Sequence, residues 1–389
     1  MNQSDTRSDT RSDTHGAHDD GADVPCDIPD YVSEDTRQKL LVLTKDSARV
    51  PGPFPIDELF IRHWCETIED GNPLYIDEQF ARDRGYRGLV VPPIAIFPAS
   101  RFPFRWPWPP TGGYRPIVLY EVKRLLELPV AIATDSEIEF FHVVQLGERL
   151  SLSDRLINLS PWKVTRLGEG HFITYATSYW NERGDKVAEQ RVSLFMYGRA
   201  QGGQELLDAQ MGYSNAIEEA IEGAATGYQP DVADGLFWED VNVGDELPAI
   251  RMPINMTRCV FMASATRDFS PQHSNPDYAK NRSGTRDVFV NTQFNMGMVS
   301  RLATDWAGST AIVRRVKIRM KENVCAGDDM IVTGRVMRKF VVDGEHRVDI
   351  DVMISNQERP ATPCEATVAL PCRGAAGGGD QSGTPAAAA

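Results

Sequence analysis

The chain has 389 residues, which is room for about two domains. Its 41% hydrophobic content supports real cores, and its 25% charged content is ordinary for a soluble protein. The net charge of −14 is the sum of −8 over residues 1–36 and −6 over residues 199–235, so the remainder is near neutral. The acidity therefore belongs to solvated connectors, and nothing in the chain is basic enough to invite nucleic acid.

In chain order, residues 1–36 open with short TRSDT repeats and read as a disordered acidic tail. They show no basic region followed by an apolar run, so no secretory signal is expected. Residues 37–198 form a first folded unit. Within it EIEFFHVV (137–144), RLSLSDRLINL (149–159), HFITYATSYWN (171–181) and AEQRVSLFMY (188–197) read as strands. FPFRWPWPP (102–110) reads either as an aromatic lid or as a packed proline loop. Residues 199–235 read as an acidic linker with a helix near 214–222.

Residues 236–372 form a second unit. Asn291–Trp306 places Phe294, Met298, Val299, Leu302 and Trp306 on one helical face, with Asn291 and Thr292 as capping residues. The segments 311–320, 329–342, 346–356 and 366–370 read as strands. Arg314, Arg315, Lys317 and Arg319 fit either phosphate contacts or a solvated strand face. Residues 373–389 are Gly/Ala-rich and loose. One long helix followed by an antiparallel meander indicates an α+β layer in each unit. The longest apolar stretches are broken by prolines, so no membrane span is expected. The six cysteines show no CxxC pair and read as reduced thiols of a cytoplasmic protein.

The two units resemble each other. ETIEDGNPLYIDEQFAR (66–82) aligns without gaps onto SATRDFSPQHSNPDYAK (264–280), with Asp70 on Asp268 and Tyr75 on His273. Asp268 and His273 lie five residues apart across a turn bent by Pro271, which disfavours helix at Ser270. The two side chains can then converge on one point and pass protons, since histidine titrates near ~6.5. The plainer reading is an Asp that caps a helix and a surface His. Asp70 faces a tyrosine instead, a poor proton shuttle with a pKa near ~10.

DFSPQHSNPDYA resembles the hydratase motif of the MaoC-like family, also called hydratase 2. The first unit is similar to the FAS1-like N-terminal dehydratase domain of the same superfamily. The resemblance covers roughly 40–197 and 236–371. It implies a double hot-dog fold, two fused hot-dog domains with antiparallel sheet wrapped around a central helix. It further implies an acyl-CoA or acyl-carrier-protein substrate, no metal and no cofactor beyond that carrier, and no membrane partner.

By the same resemblance, Asp268 and His273 are the catalytic pair, and the backbone N–H groups of Asn291 and Thr292 meet the thioester oxygen. Ser270, Pro271, Gln272 and Phe289 line the substrate pocket, and Asp70 with Tyr75 marks a degenerate site. Ser270 replaces the motif's Asn, and Asn291 replaces its Gly. The implied reaction is reversible hydration of a 2-enoyl-CoA to an (R)-3-hydroxyacyl-CoA. A non-catalytic partner subunit and a hot-dog thioesterase stand as alternatives, and a homodimer of double hot-dog chains is an open expectation.

Overall fold

The computed structural model describes residues 28, 32–52, 54–100, 118–128, 130–165, 167–198, 235–357 and 359–373. Most of the acidic tail, the segment 102–110, nearly all of the linker and the tail beyond 373 lie outside the described residues. The helix Glu34–Leu43 begins inside the stretch read as disordered, with the Ser33 hydroxyl accepting from the Thr36 N–H. Leu40 and Ile28 reach a buried cluster, which is what fixes this helix against the first unit.

Among the described residues, eleven strands form one antiparallel sheet. They are β1 (Val50–Pro51), β2 (Val130–Phe140), β3 (Ser151–Leu159), β4 (Lys163–Thr165), β5 (Gly168–Trp180) and β6 (Lys186–Gly198) in the first unit. The second unit supplies β7 (Glu246–Ile254), β8 (Ile312–Arg319), β9 (Asp328–Val342), β10 (Glu345–Asn356) and β11 (Arg359–Ala369). The order is β1-β3-β5-β6-β2-β8-β11-β10-β9-β7, with β4 beside β5. The two units therefore join edge to edge at β2 and β8, where Ile138 pairs with Val316 and Glu137 with Lys317.

That seam explains the basic run on β8. Arg315 contacts Glu137 at 2.5 Å and Glu365 at 2.9 Å, and Arg319 contacts Asp135 at 2.9 Å. Arg314 pairs with Glu345. The alternating partners of these cations, Val313, Val316 and Ile318, are buried beneath the sheet. Each such side chain contributes roughly 1.5–3 kcal/mol of burial.

In the second unit the helix Thr292–Ala307 runs under the sheet and is buried on almost every side. Sequence periodicity gave this helix one apolar face. Its other faces are covered too, because the first unit packs across it. Trp64 and Ile68 come so close that a Cβ on Gly297 would lie 3.0 Å from the Trp64 ring. The first unit's described helical pieces in that place are Ile96–Ser100 and Val118–Leu126, on either side of residues 101–117.

Candidate active site

The helix Met256–Thr266 ends at Arg267, whose φ of 54° turns the chain sharply. Its counterpart Glu58–Ile68 ends the same way at Glu69, φ 55°. After the turn, Ser270 is extended at ψ 127°, as a residue before proline should be, and Pro271 opens a short turn to His273.

This loop brings the pair together. Asp268 Oδ1 accepts from the Ser270 hydroxyl at 2.7 Å and from the Ser270 N–H at 3.2 Å. Asp268 Oδ2 lies 3.7 Å from His273 Nε2. His273 Nδ1 is 2.8 Å from the Phe289 carbonyl. A carbonyl only accepts, so Nδ1 carries the hydrogen and the neutral ring keeps its lone pair on Nε2. The Phe289 ring meets the imidazole edge-on at 4.9 Å. The His273 side chain is 6% exposed and that of Asp268 21%.

Both residues line a cavity of about 740 Å³. Ser270, Pro271, Gln272, Phe289, Asn291 and Thr292 line it as well, so the second-unit residues singled out from sequence share one space. The opposite wall comes from the first unit: Phe97, Leu119, Ala131, Ala133, Tyr175 and Leu194. Sequence reasoning named none of these. They carry no motif and reach the site only because the two units pack together.

One expected donor is aimed elsewhere. The Asn291 N–H points at Met262 Sδ, 3.0 Å away. The Asn291 side chain is engaged too. Its Oδ1 caps the Phe294 N–H at 2.9 Å and its Nδ2 donates to Thr266 Oγ1 at 2.7 Å. Reading the family's Gly position as a donor therefore needs correction here, because the helix Met256–Thr266 presents a sulfur to that N–H. Thr292 and Gln293 are the first two residues of the central helix. Their N–H groups have no intrahelical acceptor, and both residues line the cavity.

The matching position in the first unit is built differently. The Val91 N–H bonds the Val144 carbonyl as Val290 bonds Val324, and Leu146 bonds Leu89 as Ala326 bonds Val288. That register places Pro92 and Pro93 opposite Asn291 and Thr292, and proline has no N–H. Tyr75 is 4% exposed, and burial pushes its hydroxyl well above the usual tyrosine range, with the Asp70 charge adding to it. The space beside Tyr75 and Pro93 is only about 40 Å³.

Asp70 is buried next to Arg301 and Asp305 of the central helix. Burial first, then the Asp305 charge, pushes its carboxyl up to about 7 against the Asn72 N–H and the Arg301 guanidinium. Arg301 bonds Asp305 Oδ2 at 3.1 Å and the Ile68 carbonyl at 2.6 Å.

Other described histidines sit apart from the pair. His171 bonds the Ser160 carbonyl and is lowered by burial, His63 contacts Ser264 Oγ, and His346 packs on Trp238. Among the described residues, no three His, Cys, Asp or Glu side chains cluster to hold a metal, and no helix is long and apolar enough to cross a membrane.

With this geometry in place, three comparisons bear on the chain. A family model described as FAS1-like, dehydratase domain region, matches residues 48–190. The chain is 37% identical over 159 residues to a probable enoyl-CoA hydratase α subunit of Thermomonospora curvata, covering 38% of this chain and 46% of that one. It is 36% identical over 94 residues to the 3-oxo-4,17-pregnadiene-20-carboxyl-CoA hydratase β subunit of Mycobacterium tuberculosis, covering 24% of this chain and 72% of that one. The chain spans just under half the length of the α-subunit relatives, 46% and 45%.

Among solved structures, a MaoC-like dehydratase superposes with a TM-score of 0.63 at 16% identity, over 85% of this chain and 98% of that one. A double-hotdog protein of Mycobacterium tuberculosis gives 0.55 at 12%, over 84% and 96%. These last two speak for the fold alone. One sheet joined at a central seam, a buried helix beneath it and a loop-borne Asp/His pair agree with the sequence matches: the chain is a double hot-dog member of the FAS1-like, MaoC-like dehydratase family.

Proposed function

We propose that this chain is a hydro-lyase that reversibly adds water to 2-enoyl-CoA thioesters to give (R)-3-hydroxyacyl-CoA. The observation that carries this reading is the placement of Asp268 Oδ2 and His273 Nε2, 3.7 Å apart, on a cavity that also holds the first turn of the central helix. That spacing exceeds a direct hydrogen bond and suits one oxygen atom held between the two groups.

In the forward direction a water oxygen bonds Cβ as one of its O–H bonds breaks and gives its proton to the pair, a proton from the pair reaches Cα, and the C=C π bond is lost. Negative charge gathers on the thioester oxygen in between. The Thr292 and Gln293 N–H groups are suited to receive it, and donors of this kind are typically worth ~10²–10³ in rate. Both additions come from the side of one loop, which supports a single hydroxyl configuration. The reaction uses no cofactor beyond the CoA of the substrate.

The first unit is silent in this reading. It has tyrosine for histidine and a proline, Pro93, where the Thr292 N–H would stand, and it serves as the acyl wall. A cavity of about 740 Å³ suits a bulky acyl group, such as the steroid named for the Mycobacterium tuberculosis relatives. Those relatives are named as subunits, which keeps a partner-subunit reading and a homodimer in view.

Product analysis tests the reaction. Incubation with crotonyl-CoA and a bulkier enoyl-CoA should remove enoyl absorbance without releasing free thiol. Stoichiometric CoA release would identify a thioesterase, and no change with either substrate would favour a binding subunit.

A further inference from the structure

A threonine inside a helix commonly spends its hydroxyl on the carbonyl one turn back. Thr67 does so to His63 at 2.7 Å, Thr266 to Met262 at 2.7 Å and Thr304 to Ser300 at 3.1 Å. Thr292 cannot, because it is the first residue of the central helix and no turn precedes it. Among the described residues its hydroxyl meets Met320 Sδ, at 3.6 Å, and a thioether is a weak acceptor. Nor does the hydroxyl close the helix, since Asn291 Oδ1 already caps the Phe294 N–H. Thr292 is half-buried between two buried residues, Asn291 and Gln293, and both Thr292 and Met320 line the cavity shared by Asp268 and His273.

Neighbouring donors are committed elsewhere. The Ser270 hydroxyl holds Asp268, and the Asn291 amide donates to Thr266. The Asn291 N–H, which would open the row of helix donors, goes to Met262 Sδ. A Cα–Cβ bond leans toward the N-terminus of its helix, and the unpaired N–H groups of the first turn point the same way. The Thr292 hydroxyl therefore leaves the helix on the side of the Thr292 and Gln293 N–H groups, where it can replace the donor that Met262 takes. An oxygen gathering negative charge attracts an O–H far more strongly than a thioether does, so the hydroxyl turns from Met320 as that charge forms.

We propose that the Thr292 hydroxyl is a catalytic donor to the thioester oxygen and stands in for the Asn291 N–H. The proton stays on Oγ1 throughout, and the hydroxyl stabilises charge without transferring anything. The proposal rests on the acyl-thioester reading above for its ligand. It makes a separate claim about which side chain holds the oxygen.

The test uses the full chain and two variants, each shown to be folded by its melting transition. Thr292→Val keeps the shape and removes the O–H, and Thr292→Ser keeps the O–H. With crotonyl-CoA, Thr292→Val should lower kcat by ~10² and leave KM within about threefold, and Thr292→Ser should recover most of that loss. The second readout is difference infrared spectroscopy of carbonyl-labelled butyryl-CoA, which has no double bond to hydrate. Its carbonyl stretch should fall in frequency on binding to wild type and to Thr292→Ser, and should move back toward the free value in Thr292→Val. An identical carbonyl band in all three proteins would overturn the inference. So would equal kcat losses in the serine and valine variants, because that makes Thr292 a packing residue. If wild type fails to hydrate crotonyl-CoA while the band still depends on the hydroxyl, the lyase reading is wrong and the donor stands.

Discussion

At the scale of single residues, the Ser270 hydroxyl decides how the site is aimed. It holds Asp268 Oδ1, which leaves Oδ2 turned toward His273. Ser270→Ala should therefore lower kcat by roughly tenfold with little change in KM, since it loosens a positioned carboxylate without touching the acyl wall. Steady-state kinetics on one enoyl-CoA checks this, and an unchanged kcat would remove Ser270 from the machinery. The convergence of Asp268 and His273 is a local matter of five residues around one proline, but the spacing alone left a capping Asp and a surface His open, and the family resemblance singled the pair out. The aim of the Asn291 N–H was not legible in the sequence, because the sulfur that takes it belongs to Met262, 29 residues away on another helix. Pro92 and Pro93 were visible in the sequence from the start. Their meaning appeared only when the hydrogen-bond register set them against Asn291 and Thr292.

At the scale of elements, the buried group Asp70, Arg301 and Asp305 ties the end of one helix to the middle of another. Its pH dependence follows from the raised carboxyl of Asp70. The folded value is about 7, and the unfolded value is near ~3.9. The fold favours the protonated form, so this group's stability contribution is full below pH ~4 and is lost as pH rises through 7. The slope from this one group is at most about 1.4 kcal/mol per pH unit. Wild type should lose stability relative to Asp70→Asn between pH 5 and pH 8 in urea denaturation. Parallel curves for the two proteins would show that Asp70 is not protonated in the fold. The helix Thr292–Ala307 and most strands were readable from periodicity. Strand β7 and the helix Glu34–Leu43 were not, since each has a weak pattern and is fixed by what packs on it.

At the scale of the whole molecule, one unit supplies chemistry and the other supplies shape. The β2–β8 seam lays Ala131 and Ala133 across the cavity from the Asp268 loop. Ala133→Phe should raise KM about tenfold or more for a bulky enoyl-CoA and leave crotonyl-CoA turnover within about threefold. Equal losses for both substrates would mean that β2 does not form the acyl wall. The two-unit plan was legible because the 66–82 and 264–280 segments repeat. The seam order was not, because edge-to-edge pairing of β2 with β8 leaves no local signature in either strand.

The most direct measurement is crotonyl-CoA hydration by wild type, Asp268→Asn and His273→Gln, each shown to be folded by its melting transition. Loss of a loop-borne acid–base group should cost ~10²–10⁴ in rate in either variant. Turnover within a few-fold of wild type in a folded variant would contradict the account.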